Sequence, residues 1–184
     1  MATLSVFNFI SLDGYYKGLN EDIGWHNHDV EETEYSAQSL QADSILLFGR
    51  VTYDMMFSFW PSAMAIQNMP QVARGMNDAE KIVFSNTMQT AEWNNTRVIS
   101  GDIVEEVRKL KLSSAKDLTI LGSGTILNQF TDAGIIDDYQ LMISPIAIGE
   151  GTPIFKGIKQ NLNLRLINSR IFKNGTLLLD YKPI

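Results

Sequence analysis

The order of apolar and polar positions along the chain predicts alternating strands and helices. Short runs rich in Val, Ile, Phe and Leu predict strands over residues 3–12, 44–48, 81–85, 97–100 and 118–121. Apolar residues at helical spacing predict helices over residues 30–41, over 52–59, within 67–78, from Asp102 past Leu110, and from near Ser123 to about Ala133. This alternation is typical of an α/β protein with a mainly parallel sheet.

The last third of the chain has a different pattern. Residues 138–148, 161–172 and 176–182 read as strands, and Asn174-Gly175 predicts a two-residue hairpin between the last two. Leu162, Leu164 and Leu166 alternate with polar residues, which predicts a half-buried antiparallel strand. The predicted fold is therefore a central, mostly parallel sheet with helices on both faces and a C-terminal antiparallel hairpin.

Composition narrows the functional class. The 184 residues are 45% hydrophobic and contain no linker or repeat, so we expect one domain over residues 1–184. A formal net charge of −6 argues against a nucleic-acid-binding face, and the absence of Cys excludes disulfides and thiolate chemistry. The apolar runs are too short to span a bilayer and no secretory signal is evident, so a cytoplasmic location is expected.

The segment from Leu121 to Leu127 is the most informative for chemistry. Its predicted strand ends in Gly122 and Gly124, which open a predicted helix. Glycines let a diphosphate approach the backbone, and the free N–H groups of a helix N-terminus bind anions. A dinucleotide fingerprint would have a third glycine where this chain has Leu127. A tight turn without a ligand explains the segment equally well.

Five segments, in this order, resemble the dihydrofolate reductase-like superfamily. They are Ser11-Leu12-Asp13-Gly14-Tyr15, Phe48-Gly49-Arg50-Val51-Thr52-Tyr53, Val83-Phe84-Ser85-Asn86-Thr87, Gly122-Ser123-Gly124, and residues 143–155. Within that superfamily the chain is most similar to the reductase domain of bacterial riboflavin biosynthesis, the RibD C-terminal domain, and to its small stand-alone relatives. The resemblance implies a three-layer fold, an NADPH-dependent reductase, and a homodimer with residues 149–155 and the C-terminal strands at the interface.

The resemblance also implies where the cofactor binds. Arg50 would lie near the 2′-phosphate, with Ser85 and Asn86 beside it, and a guanidinium suits a phosphate by paired hydrogen bonds. Many relatives carry Arg in place of Asn86, so NADH is possible as well as NADPH. The remaining implied cofactor contacts are Gly49, Thr52, Gly122, Ser123, Gly124, Thr125 and Ile126. A surface ion pair is the alternative role for Arg50.

The substrate side is marked by fewer residues. By resemblance, Asp13 lies beside the nicotinamide pocket with Tyr15, although an Asp-Gly turn explains Asp13 equally well. Trp25 with Asp29 resembles the tryptophan and acid that precede the substrate helix in dihydrofolate reductases, but with a shorter spacing. The resemblance implies that Asp13 and Asp29 are catalytic, with Asp29 as the proton donor, and that Trp25 and Tyr15 belong to the substrate pocket. Alternative acids are Glu31, Glu32 and Glu34, which are also explained as a solvated first helical turn.

Other chemistries are less favoured. His26 and His28, the only histidines, could ligate a metal, but two His in a polar loop without a second cluster predict solvated side chains and no metal site. No Gly-x-Ser-x-Gly elbow supports a serine hydrolase. The favoured reaction is hydride transfer from a reduced nicotinamide to a C=N or C=O carbon of a small substrate. The rival classes are a non-catalytic NADP-binding sensor and an interaction protein with an empty glycine turn.

Overall fold

The computed structural model describes residues 1–26 and 28–184. In chain order, the strands are β1 (Leu4–Ser11), β2 (Tyr15–Lys17), β3 (Ile45–Gly49), β4 (Lys81–Phe84), β5 (Thr96–Ile99), β6 (Leu118–Leu121), β7 (Asp138–Ser144), β8 (Thr152–Pro153), β9 (Leu164–Ile171) and β10 (Leu177–Pro183). The helices are α1 (Val30–Ser39), α2 (Arg50–Phe59), α3 (Ala63–Asn68), α4 (Pro70–Asp78), α5 (Ile103–Ser113) and α6 (Gly124–Asp132). Short 3-10 turns cover Leu19–Glu21 and Leu40–Ala42.

Within the described residues, eight strands form the central sheet in the order β5-β4-β3-β6-β1-β7-β10-β9. The first six strands run parallel to one another, whereas β10 runs antiparallel to both β7 and β9. β2 and β8 pair separately as a small antiparallel ribbon. The predicted mostly parallel sheet with a C-terminal antiparallel hairpin is confirmed.

Helices cover both faces of the sheet, because alternate side chains of one strand enter different cores. In β3, Leu46 and Phe48 pack with residues of α1, α2 and α4. Ile45 and Leu47 pack on the other face with residues of α5 and α6. All four side chains are buried. The predicted three-layer arrangement is therefore confirmed, and the apolar run in β3 reflects burial on both faces.

Local signals set several helix ends. The Asp102 carboxylate accepts a hydrogen bond from the Glu105 N–H and starts α5. Gly134 follows α6 with φ of 62°, a left-handed conformation that suits glycine after a helix. The helix predicted within residues 67–78 is confirmed as α4, whereas the short α3 before it was not predicted. Pro70 cannot donate a backbone hydrogen bond and begins a new helix, so the chain forms α3 and then α4.

Two details of the C-terminal prediction are wrong. The hairpin turn is longer than two residues, because Phe172 and Thr176 still form a backbone hydrogen bond across it. β9 begins at Leu164, later than predicted. Leu162 and Leu164 pack against the core as the alternation predicts, whereas Leu166 is 50% exposed. β9 is the edge strand, with a neighbour on one side only. Among the described residues, no helix is long and apolar enough to cross a membrane.

Candidate active site

A cavity of about 990 Å³ opens at the carboxyl ends of β3, β4 and β6. Ligands of open α/β sheets bind at this edge, and the volume is at the upper end of ordinary ligand pockets. The structure brings together at this cavity every residue that the sequence predicted to bind cofactor, and Trp25 as well. The cofactor set is Gly49, Arg50, Thr52, Ser85, Asn86, Gly122, Ser123, Gly124, Thr125 and Ile126.

Two helices that start at the cavity, α2 and α6, have no side-chain cap. α2 begins after Gly49, which has no side chain to act as a cap. α6 begins after Ser123, whose side chain accepts no hydrogen bond from α6. By contrast, Asp29 caps α1 and Asp102 caps α5. The first N–H groups of a helix have no partner inside the helix and carry a partial positive charge. Two adjacent helix starts therefore offer anion-binding N–H groups to the cavity.

A hydrogen bond joins these two helix starts. The Gly49 N–H donates to Ser123 Oγ at 2.8 Å. Ser123 is 6% exposed and has φ of 58°, a left-handed conformation that costs a residue with a Cβ about 1–2 kcal/mol. Backbone strain of this kind is found at ligand sites, where the surrounding structure holds it. Ser123 therefore fixes the position of one predicted phosphate loop relative to the other.

The glycines of this turn also admit neighbouring side chains. A Cβ at Gly124 would lie 2.8 Å from Tyr16 Oη, and one at Gly122 would lie 3.1 Å from Thr52 Cγ2. Gly122 also has φ of 61°. Close packing by Tyr16 and Thr52 thus requires the glycines even without a ligand, so the glycine spacing alone is not evidence for phosphate.

The three polar residues predicted near the 2′-phosphate lie at the cavity rim. Arg50 Nη1 forms an ion pair with Asp54 Oδ2 at 2.9 Å, and both side chains are about half exposed. Ser85 Oγ accepts hydrogen bonds from backbone N–H groups two and three residues later. Asn86 Oδ1 accepts from the Gly101 N–H. A half-exposed ion pair is weak, so the Asp54 contact leaves the Arg50 guanidinium able to turn toward an anion.

Two buried donors also face the cavity, Asn8 beside Gly122 and Trp25 beside His26. Asn8 Nδ2 and Trp25 Nε1 line it and have no hydrogen-bond partner among the described residues. Buried polar atoms are nearly always bonded, so such a pair indicates where ligand acceptors bind. Phe7 and Phe9 line the same region and supply apolar surface. This end of the cavity suits a flat polar molecule.

A buried histidine and carboxylate lie at this end. His26 Nε2 and Glu32 Oε2 are 2.9 Å apart, with side-chain exposures of 4% and 0%. His26 Nδ1 contacts Ser144 Oγ, and Asn174 Nδ2 donates to Glu32 Oε1. The expectation of solvated side chains is therefore wrong for His26 and Glu32. Glu32 was predicted only as an alternative acid, because its burial depends on residues far away in the sequence, such as Asn174.

Burial affects the pKa values in this group. Desolvation alone would raise the pKa of Glu32, but hydrogen bonds from His26, Asn174 and Thr176 outweigh it and lower the pKa to about 2. Burial, together with repulsion from His26, lowers the pKa of His28 to about 4. At neutral pH Glu32 is therefore ionised and His28 is neutral.

The predicted residues Asp13, Asp29 and Tyr15 do not line the cavity. The Asp13 carboxylate is exposed and accepts hydrogen bonds from Ser11 Oγ and from the backbone of residues 148 and 149. Asp29 caps α1, and Tyr15 Oη donates to the Gly149 carbonyl. The next residue in β2, Tyr16, lines the cavity instead. Catalytic roles for Asp13 and Asp29 stay predictions, while the structure gives both carboxylates turn and cap functions.

Comparison with known structures identifies the fold. A protein of Shewanella sp. PV-4 assigned to riboflavin biosynthesis superposes with a TM-score of 0.75 at 22% identity, covering 100% of this chain and 99% of that one. Dihydrofolate reductase from Enterococcus faecalis, in complex with NADP(H) and RAB-propyl, gives 0.67 at 13% identity, covering 98% and 96%. The fold is therefore that of the dihydrofolate reductase-like proteins.

Sequence comparison defines the family. The model of the RibD C-terminal domain matches residues 2–178, so the chain belongs to that family. Protein YyaP of Bacillus subtilis (strain 168), whose function is uncharacterized, is 29% identical over 174 residues, which are 94% of this chain and 90% of YyaP.

Proposed function

We propose that the chain is an NADPH-dependent reductase that transfers hydride to a C=N or C=O carbon of a small heterocyclic or carbonyl substrate, while a carboxylic acid or water supplies a proton to the nitrogen or oxygen. When bound, the reduced nicotinamide supplies the hydride. The protein binds and orients both molecules and excludes water between them. The aminopyrimidine reduced in riboflavin biosynthesis and the pterin reduced in folate metabolism are the substrate types to test first.

The observation that carries the proposal is the pair of uncapped helix starts joined by the Ser123–Gly49 bond. A diphosphate placed between them would accept hydrogen bonds from both helices and meet their positive dipole ends. Arg50 at the rim is then available for the phosphate that distinguishes NADPH from NADH. These three features support a phosphorylated dinucleotide at this end of the cavity.

The substrate is proposed to bind at the end lined by Asn8 and Trp25. Their unpartnered N–H groups would donate to ring nitrogen or carbonyl acceptors of a flat heterocycle. The ring of Phe9, which also lines this end, would pack against its face. A substrate held by these groups has its reducible carbon inside the cavity, beside the region proposed for the nicotinamide.

A cofactor titration tests the proposal. Quenching of tryptophan fluorescence gives the Kd for NADPH and NADH separately. We expect NADPH to bind more tightly, and Arg50→Ala to weaken NADPH by roughly tenfold or more while changing NADH little, because one charge-assisted contact contributes about 1.5–3 kcal/mol. Arg74→Ala is the matched control, since Arg74 forms the same i,i+4 type of ion pair on α4 and does not line the cavity.

The titration and a turnover assay separate the rival functions. Binding followed by consumption of NADPH with a pterin, aminopyrimidine or carbonyl substrate supports the reductase. Tight NADPH binding without turnover on any of these classes would favour an NADP-binding sensor. Failure of both nucleotides to bind would favour an interaction protein with an unused glycine turn. An equal loss of NADPH and NADH affinity in Arg50→Ala would refute the role of Arg50 in recognising the 2′-phosphate.

A further inference from the structure

Three possible metal ligands converge at the substrate end of the cavity. His26, His28 and Glu32 each offer one ligand atom, and these three atoms lie within 4.8 Å of one another. Glu32 Oε2 is 2.9 Å from His26 Nε2 and 3.6 Å from His28 Nδ1. Ligands of a tetrahedral zinc ion, each about 2.1 Å from it, are about 3.4 Å apart. The two separations that involve Glu32 lie on either side of that value.

A hydrogen-bonded pair explains only part of this arrangement. His26 and Glu32 are close enough for a hydrogen bond, but His28 Nδ1 at 3.6 Å is too far for one. His28 nevertheless directs that nitrogen at the same carboxylate oxygen, and its ring contacts the His26 ring with centroids 4.1 Å apart. A shared cation would explain why two imidazole nitrogens and one carboxylate oxygen face a common point.

The surrounding residues also match a metal site. His26 contacts Ser144 through Nδ1, the ring nitrogen that does not face Glu32. Asn174 donates to Glu32 Oε1, the carboxylate oxygen that does not face the histidines. Partners of this kind fix the orientation of metal ligands, and they are typical of histidine and carboxylate ligands in proteins. The two ligands that are most buried are therefore held in place before any ion binds.

We infer that His26, His28 and Glu32 form a binding site for a divalent transition-metal ion of the zinc class. Two histidines and one carboxylate are a ligand set that zinc and related ions use in open, catalytic sites. Both imidazoles line the cavity, whereas Glu32 is fully buried behind them. An open coordination position would therefore face the cavity, where it can bind and polarise an oxygen atom of the substrate. This site lies beyond the proposed reductase function and does not depend on it.

Metal binding is tested on the full chain without a histidine tag. Co²⁺ is the spectroscopic probe, because a nitrogen-ligated ion gives visible absorption bands, and Zn²⁺ should displace it. His26 and His28 are the only histidines and there is no Cys, so a tightly held ion has few alternative sites. We expect saturation at one Co²⁺ per chain. In NMR spectra, Zn²⁺ should shift the ring protons of both histidines.

Variants locate the site. His28→Ala removes a 43% exposed side chain, so the fold should survive, and we expect Co²⁺ affinity to fall by more than about a hundredfold. Ser144→Ala, which removes only the contact to His26, should weaken binding by about 10- to 100-fold. Glu31→Gln is the matched control, because Glu31 precedes Glu32 on α1 and pairs instead with Lys173. This control should bind Co²⁺ as the unmodified protein does.

Three outcomes would overturn the inference. These are no saturable Co²⁺ absorption, an affinity unchanged in His28→Ala, or an equal loss in Glu31→Gln. The NMR titration uses the unmodified protein, so it tests metal binding even where a variant fails to fold. NADPH binding is measured separately at the other end of the cavity, so failure of the metal site and failure of the proposed reductase function give different results.

Discussion

The hydroxyl of Ser123 provides the sharpest test of how the two predicted phosphate loops are held. Ser123 Oγ accepts the Gly49 N–H at 2.8 Å, and Ser123 itself is buried in a left-handed conformation. Gly49 precedes α2, so its N–H needs a partner that the helix does not supply. Two substitutions at Ser123 separate the hydrogen bond from the backbone strain.

The expected magnitudes follow from these two contributions. Ser123→Ala removes the acceptor but keeps the Cβ, and leaving a buried donor unpaired costs about 1–3 kcal/mol. Ser123→Gly removes the same acceptor but also relieves the left-handed strain, which is about 1–2 kcal/mol. Some of that relief is offset by the greater freedom of glycine in the unfolded chain. The glycine variant should therefore be more stable than the alanine variant by about 1 kcal/mol.

Urea unfolding measures both differences as changes in the free energy of unfolding. NADPH titration of the same variants should show weaker binding in both, because the helix starts are no longer tied together. Ser113→Ala is the control, since its exposed hydroxyl donates only to the Lys109 carbonyl, and it should change stability by less than about 0.5 kcal/mol. A Ser123→Ala variant that is as stable as the unmodified protein would contradict the expected cost of losing the hydrogen bond. An alanine variant that is more stable than the glycine variant would contradict the expected relief of backbone strain.

Two further predictions concern groups outside the cavity. Burial lowers the pKa of Lys81 from 10.5 to about 8. Between these values the folded state binds fewer protons than the unfolded state, so stability rises with pH. Relative to Lys81→Met, the unmodified protein should therefore gain about 2 kcal/mol in unfolding free energy between about pH 7.5 and 9.5. Urea unfolding at the two pH values measures this gain, and no gain would contradict the prediction. Hydrogen bonds from Ser11, Gly149 and Ile148 lower the pKa of Asp13, which favours its carboxylate in the folded state. Asp13→Asn should therefore be less stable than the unmodified protein at neutral pH. This difference should vanish as the pH falls below 3.8 and through the pKa of Asp13 in the folded state. A stability difference that persists at low pH would show another cause.

The sheet and its helices could be predicted because their signals are local. The buried run of β3 and the Asp102 cap each involve residues close together in the chain. The exposure of β9 could not be predicted in this way, because it depends on which strand lies at the edge. The predicted homodimer, with residues 149–155 and the C-terminal strands at its interface, stays a prediction.

The two ends of the cavity differ for the same reason. The proposed cofactor end is built from short segments, each following one strand, so Gly49 and Ser123 were recognisable even before the sheet brought them together. The substrate end joins His26 and Glu32 to Ser144 and Asn174, which are more than a hundred residues away in sequence. No local spacing records that contact. Glu32 looked like an ordinary first-turn acid, and only the fold brings Asn174 of the β9–β10 turn and two imidazoles to its carboxylate.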